Sequence, residues 1–385
     1  MSQNNRKLAY LAFALYLLSG VVCMFVGSTM TMLVDRYGYP LEKIVLFIGA
    51  FATGRTLSVY TMGILTRKDP MKVLFRGTCL LMLYMLAAVL VPVYYVGLVC
   101  AFLGGIGMSA QDTICPLFLS RAYPESYSSS LSAGQALYGL GGFAVSALTG
   151  LMLHLNLPFY LAEIILAVIG VSIVVLIPFT RWDNIPAEEM QETVRPLYSN
   201  NNRLVLILLG VVCFAYCSSC NVLGSYMTSY IEELTGSRET GSFLLAVYNL
   251  VIVIGALFFI KILKKVSERT VLLANSVIIT VALVIALWIN TLGTYYVCFP
   301  LIGFFLGVLF TIIIAIGTRL EYRNISVASA LIATIGSCGD IFTPFATSRL
   351  ISANGVKSVF YYLVIVMVVQ TVVSGLVYIM TKEEL

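Results

Sequence analysis

The sequence predicts an all-α membrane protein of twelve transmembrane helices, arranged as two related six-helix bundles. Three observations carry this. Of the 385 residues, 60% are hydrophobic and only 11% are charged, whereas a soluble domain is about 45–50% apolar and about 25% charged. Twelve apolar stretches each reach the length of about 20 residues that crosses a hydrocarbon core. One long polar break, 180–203, divides them six and six.

In order, the stretches are 8–34, 43–65, 73–91, 94–120, 130–153, 157–179, 204–231, 240–263, 270–290, 294–318, 326–350 and 356–380. Turn residues or charges punctuate them, as in DRYGYP at 35–40 and TRKDP at 66–70. The expected organisation is a bundle over 1–179, a cytoplasmic linker over 180–203 and a second bundle over 204–385. The start, MSQNNRK, is short and polar, and the first apolar run is too long for a signal peptide, so it reads as a retained span.

Charge orients the chain. With the N-terminus in the cytoplasm, seventeen Lys and Arg face the cytoplasm and five face outside, with Arg55 left inside a span. This excess places both termini in the cytoplasm of a cell (inner) membrane. The basic residues flank spans, so the net charge of +5 implies no nucleic-acid partner. A shift of 198 residues superposes Arg121 on Arg319, Ser128 on Ser326, Gly105 on Gly303 and Gly141 on Gly339. A constant offset of this kind suggests a parallel internal repeat.

Several classes are excluded by composition. The nine cysteines are scattered singly within apolar runs, and there is one histidine, His154. No metal site is expected. There is no P-loop, GxSxG or HExxH, so neither an enzyme nor an ATP-driven pump is expected, and no cofactor is implied.

Twelve spans, a six-plus-six division and short basic loops resemble the major facilitator superfamily over the whole chain. The loop Gly63-Ile-Leu-Thr-Arg-Lys-Asp-Pro-Met-Lys72 lies where that family carries G-x-x-x-D-R-x-G-x-K/R. Gly63, Lys68 and Lys72 fit that motif. Arg67 stands at the acid position, Pro70 at the second glycine, and Asp69 is a nearby acid. The Gly-rich fourth span leading to Asp112 and a proline is similar to the fucose/galactose/gluconate–proton symporter branch. The resemblance implies two halves rocking about a central site, with gate contacts at the cytoplasmic loops.

Asp112 lies mid-span on a face with Gly105, Ser109 and Pro116. A charge at that depth costs a few kcal/mol or more and is by default functional. It reads either as a proton-titrating carboxylate or as half of a structural ion pair with Arg55, the lone base of the second span. Arg55 can also hold a carboxylate or phosphate through its planar fork. Asp340, the mid-span acid of the C-terminal half, reads as a coupling group or a helix-packing group. Glu163, near one end of the sixth span, is expected to reach the membrane surface.

Amides and phenols inside the membrane need partners. Gln111, Gln135, Tyr138, Asn221, Tyr248 and Asn249 are therefore candidates for substrate contact, with Arg55, or for helix–helix bonding. Arg67, Lys68, Asp69, Arg121, Arg319 and Glu321 are candidate gate charges at the cytoplasmic turns. The expected function is secondary active, proton-coupled uptake of a small polar solute such as a sugar or sugar acid, by a monomer in the lipid bilayer, with sodium as the alternative ion. A proton-coupled exporter of a metabolite or drug, and a non-transporting membrane sensor, are the alternatives.

Overall fold

The structure is a computed structural model that describes residues 3–123, 127–180, 200–263, 265–320 and 325–381. The described residues are almost entirely helical, and each predicted stretch is a helix. In order these are α1 (Gln3–Tyr37), α2 (Leu41–Ile44), α3 (Leu46–Lys68), α4 (Pro70–Leu90), α5 (Tyr94–Ala122), α6 (Tyr127–His154) and α7 (Tyr160–Leu176). Then come α8 (Asn200–Thr235), α9 (Arg238–Ile262), α10 (Glu268–Ile289), α11 (Leu292–Leu306), α12 (Leu309–Leu320), α13 (Ile325–Asn354) and α14 (Lys357–Met380). The second span is α2 with α3, and the tenth is α11 with α12, so fourteen helices make twelve spans. Among the described residues, eleven helices are long and apolar enough by composition to cross a membrane. The eleventh span, α13, is 30 residues long and carries Asp340 at its middle. Most of the expected linker lies outside the described residues.

The helix ends follow local chemistry. Gly38, Gly236 and Gly355 all adopt positive φ (66°, 71° and 76°) just past a helix C-terminus, the conformation glycine takes without a Cβ penalty. Asp69 caps α4, its side chain accepting from the Lys72 amide at 3.0 Å, and Pro70 opens the helix where its missing N–H is no loss.

By contacts the chain forms two compact units: Met1–Asp183 with Gly224–Leu250, and Asn184–Leu223 with Val251–Leu385. The latter part of α8 and the first part of α9 therefore pack with the first unit. In that unit Phe25, Phe51 and Tyr84 form an aromatic core, with ring centroids 5.5 Å apart in both the Phe25–Tyr84 and Phe51–Tyr84 pairs. In the second unit Tyr295, Phe299 and Phe360 do the same. Large apolar side chains such as Tyr60, Val168, Trp288 and Ile379 are exposed, as befits a surface solvated by lipid tails.

Glycine sets the tightest helix contacts. A Cβ on Gly105 would strike the Phe51 carbonyl and the Arg55 amide, and one on Gly54 would strike the Phe102 carbonyl, so α3 and α5 touch backbone to backbone. Gly20 and Gly141 do the same for α1 and α6, against Tyr138 and Leu17. The second unit repeats both devices. Gly255 meets Phe304 and Gly307 meets Ile252 and Ala256, while Gly339 meets Phe214.

These contacts refine the repeat. Gly141 and Gly339 keep the offset of 198. Gly54 pairs with Gly255 and Gly105 with Gly307, at offsets of 201 and 202. The contact counterpart of Gly105 is therefore Gly307, not Gly303. The offset changes because α5 runs to Ala122, 17 residues past Gly105, whereas α12 runs to Leu320, 13 past Gly307, which a single sequence shift does not register.

Adding a side chain should therefore have opposite effects at two glycines. Gly105→Val should destabilise the folded state by about 1–3 kcal/mol through overpacking. Gly63→Ala, where a Cβ meets nothing within 4 Å, should stabilise α3 by up to about 1 kcal/mol. Thermal melting of the detergent-solubilised protein reads both signs.

Candidate functional site

The close approach of α3 and α5 places two charges together at membrane depth. Arg55 Nε donates to Asp112 Oδ2 at 2.6 Å. Two turns of α5 separate Asp112 from Gly105, so the glycine contact brings the helices near enough for the pair to form. Between them, the Ser58 and Ser109 hydroxyls lie 2.6 Å apart and tie the same two helices. The ion pair that was one reading of Asp112 is therefore present in the structure. The Arg55 and Asp112 side chains are 34% and 33% exposed.

Two further helices reach the pair. Tyr138 of α6 and Cys23 of α1 both interact electrostatically with Arg55, and they hydrogen-bond each other. The glycine contacts of α1 with α6 hold Tyr138 at this point. Pro116 adds a backbone feature. It lacks the N–H that would have bonded the carbonyl four residues earlier, and that carbonyl belongs to Asp112. Pro344 stands in the same relation to Asp340. The repeated D-x-x-x-P was legible in the sequence and marks both mid-span acids.

The other candidates disperse. Gln111 is buried, accepting from Ser19 at 2.5 Å and donating to Thr78 at 3.1 Å, so its amide ties α1, α4 and α5. Asn249 is buried and donates to Ser146 at 3.4 Å, and Ser146 lies 2.9 Å from Ser28. Tyr248 is buried and Gln135 is exposed. In the second unit, Asp340 interacts with Cys217 and Cys220 of α8, and Asn221 is half-buried. Of the residues named from sequence, only Arg55, Asp112 and Tyr138 converge. Glu163 is a correction. It does not reach the membrane surface but is 2% exposed, because α7 turns this face onto the bundle.

The loop charges also resolve. Lys72 pairs with Asp69 at 2.9 Å, and its hydrogen bonds hold the Asp69 carboxyl below the usual carboxylate range. Arg319 pairs with Glu268 at 2.9 Å. Lys68 is exposed and Arg121 is half-buried. Asn5 donates to the Arg121 carbonyl at 3.5 Å. The Arg67 side chain and Glu321 lie outside the described residues.

At the opposite end of the first unit is a cluster that sequence reasoning missed. Arg238 contacts Asp35 and Glu232, each at 2.7 Å, and His154 Nδ1 lies 2.8 Å from Glu239. These pairs tie α1 and α6 to α8 and α9. The available signal was a lone histidine at a helix end, with acids and a base flanking the capping glycines Gly38 and Gly236.

A twelve-span helical fold with an accessible ion pair inside one bundle defines a membrane transporter. The sequence profile described as Major Facilitator Superfamily matches residues 12–320 and again 207–384, and the chain belongs to that family. Among curated relatives, it is 23% identical over 400 residues to the uncharacterized MFS-type transporter YfkL of Bacillus subtilis, covering 100% of this chain and 98% of that one. It is 20% identical to Protein TsgA of Escherichia coli, over 92% of this chain and 91% of that one. Among solved structures, a D-xylose-proton symporter superposes with a TM-score of 0.79 at 11% identity, covering 96% of each chain. A bacterial homologue of the human lysosomal transporter Spinster gives 0.74 at 12% identity, over 99% of this chain and 98% of that one. At these identities the structural likeness speaks for the fold alone.

The Asp69 cap generates a prediction with a pH sign. Its folded carboxyl titrates below the ordinary value, so its contribution is present at neutral pH and is lost on acidification through that lowered value. Asp69→Ala should lower stability at neutral pH by about 1 kcal/mol, with Asp69→Asn retaining most of the cap. The gap between wild type and Asp69→Ala should narrow in acid, as read by melts across pH.

Proposed function

We propose that this transporter is a proton-coupled carrier for a small polar solute, a sugar or sugar acid, with Asp112 as the proton site and Arg55 as the group it controls. The observation that carries this reading is the 2.6 Å Arg55–Asp112 contact, made within two of the membrane-spanning helices. At an effective dielectric of about 20, unit charges 4 Å apart attract by roughly 4 kcal/mol. Protonating Asp112 removes that attraction and frees the guanidinium for the solute. A change of that size shifts an equilibrium by on the order of a thousandfold, enough to make solute binding depend on a proton.

In this reading the carrier is a monomer in a cell (inner) membrane, with both termini cytoplasmic. The halves 1–179 and 204–385, joined by 180–203, alternate access to the site. Tyr138 lies beside Arg55 and is the nearest candidate for hydrogen bonding to the solute. Asp340 is a second, separate candidate for coupling. The Asp35–Arg238–Glu232 and His154–Glu239 contacts close the outer end and must break for that end to open. The D-xylose-proton symporter neighbour is consistent with proton-driven uptake, and sodium is distinguished from protons by the choice of gradient.

The test begins with a thermal-shift panel of sugars, sugar acids and amino acids, since a ligand of the folded state raises its apparent stability. With a solute in hand, wild-type proteoliposomes should accumulate it when a pH gradient is imposed. Asp112→Asn should still exchange solute in counterflow but lose accumulation. Gradient-driven accumulation by the mutant at the wild-type level would remove Asp112 from coupling.

A further inference from the structure

Glu163 of α7 is a buried carboxyl outside the Arg55–Asp112 site. It is 2% exposed. Its Oε1 accepts from the Thr149 hydroxyl of α6 at 3.4 Å, and its Oε2 is buried with no hydrogen-bond partner among the described residues. A bare carboxylate in such a place costs several kcal/mol even after relaxation. The α7 N-terminus offsets typically 0.3–1 kcal/mol of this, up to about 2 in buried geometries. Burial therefore wins, and the group sits here as the neutral acid.

Three longer helices, α1, α4 and α6, pack against α7. From α4 nothing charged reaches this end, because Lys72 and Arg76 belong to its other end. From α6 comes His154, which is paired with Glu239. From α1 come Asp35, paired with Arg238, Tyr37, whose hydroxyl donates to the Ala88 carbonyl at 2.9 Å, and Arg36. The Arg36 guanidinium lies over the Tyr160 ring, 5.4 Å from its centroid, and Tyr160 is one helical turn from Glu163. Arg36 Nε is buried with no hydrogen-bond partner among the described residues. Among the described residues Glu163 thus has no cation partner and Arg36 no ion pair, and Arg36 stacks on Tyr160, one helical turn before Glu163 on α7.

We propose that Glu163 is a further proton-binding site, in which a proton on the carboxyl and an ion pair with Arg36 are alternatives. In the conformation seen here the proton is bound. When α7 moves against α1 and water enters, the carboxyl O–H bond breaks, the proton passes to water at this end of the bundle, and the carboxylate pairs with Arg36. The device is separate from the Arg55–Asp112 pair, and its test needs no solute, so either can fail without the other.

The experiment is attenuated-total-reflection infrared spectroscopy of the full chain reconstituted in lipid, titrated with pH. Wild type should show a protonated-carboxyl C=O band at neutral pH that declines as the bath is made alkaline. Glu163→Gln should lack that band, and Arg36→Gln should keep it to higher pH. A protonated-carboxyl signal identical in wild type and Glu163→Gln overturns the assignment. A decline unaffected by Arg36→Gln overturns the switch. Should Glu163→Gln fail to fold, Thr149→Val decides the matter. Removing the one hydroxyl that bonds the acid should shift the band, and an unmoved band counts against the proposal.

Discussion

A guanidinium and a carboxylate inside a bilayer are tolerable only in each other's company. Stripping one partner from a pair at membrane depth leaves the other charge uncompensated. That constraint explains much of the first unit. Arg55 on α3 and Asp112 on α5 meet because Gly54 and Gly105 remove the side chains that would hold the helices apart. Ser58 and Ser109 fix the register beside them, and the proline at 116 relaxes the backbone at the acid. Gly20 and Gly141 bring α1 and α6 together, where Cys23 and Tyr138 complete the surroundings of Arg55.

The second unit reproduces the scaffold and omits the charge. The glycine contacts of α3 with α5 return between α9 and the tenth span, and Ala256 stands where Arg55 does, 201 residues on. At the offset of 202 that relates Gly105 to Gly307, Asp112 corresponds to Ile314. The C-terminal acid, Asp340, sits instead on α13 among the α8 cysteines. The repeat therefore supplies packing, while the chemistry was placed independently in each half. This asymmetry supports the proposal that coupling sits in the N-terminal half.

The fold was legible because bilayer chemistry writes it in plain form: each predicted span returned as helix, the second and tenth broken in two, with outer boundaries within a few residues. The ion pair was legible as two anomalies, since an acid and a base at membrane depth have few partners to choose from. Other expectations depended on rotation about a helix axis, which composition does not reveal. Gln111 adjoins Asp112 in sequence but turns toward Ser19 and Thr78. Glu163 is near a span end, and only the packing of α7 shows that it points inward. The Arg238 cluster was hidden because its members lie in four different helices or turns, and short-range pattern cannot join them.

The central claim is that Asp112 takes up a proton as Arg55 binds solute. Its most direct measurement is proton uptake or release on solute binding, followed with a pH indicator in weakly buffered detergent solution. Wild type should change its bound protons when solute is added, and Asp112→Asn should bind solute with no such change. An identical proton signal from wild type and Asp112→Asn would contradict the account.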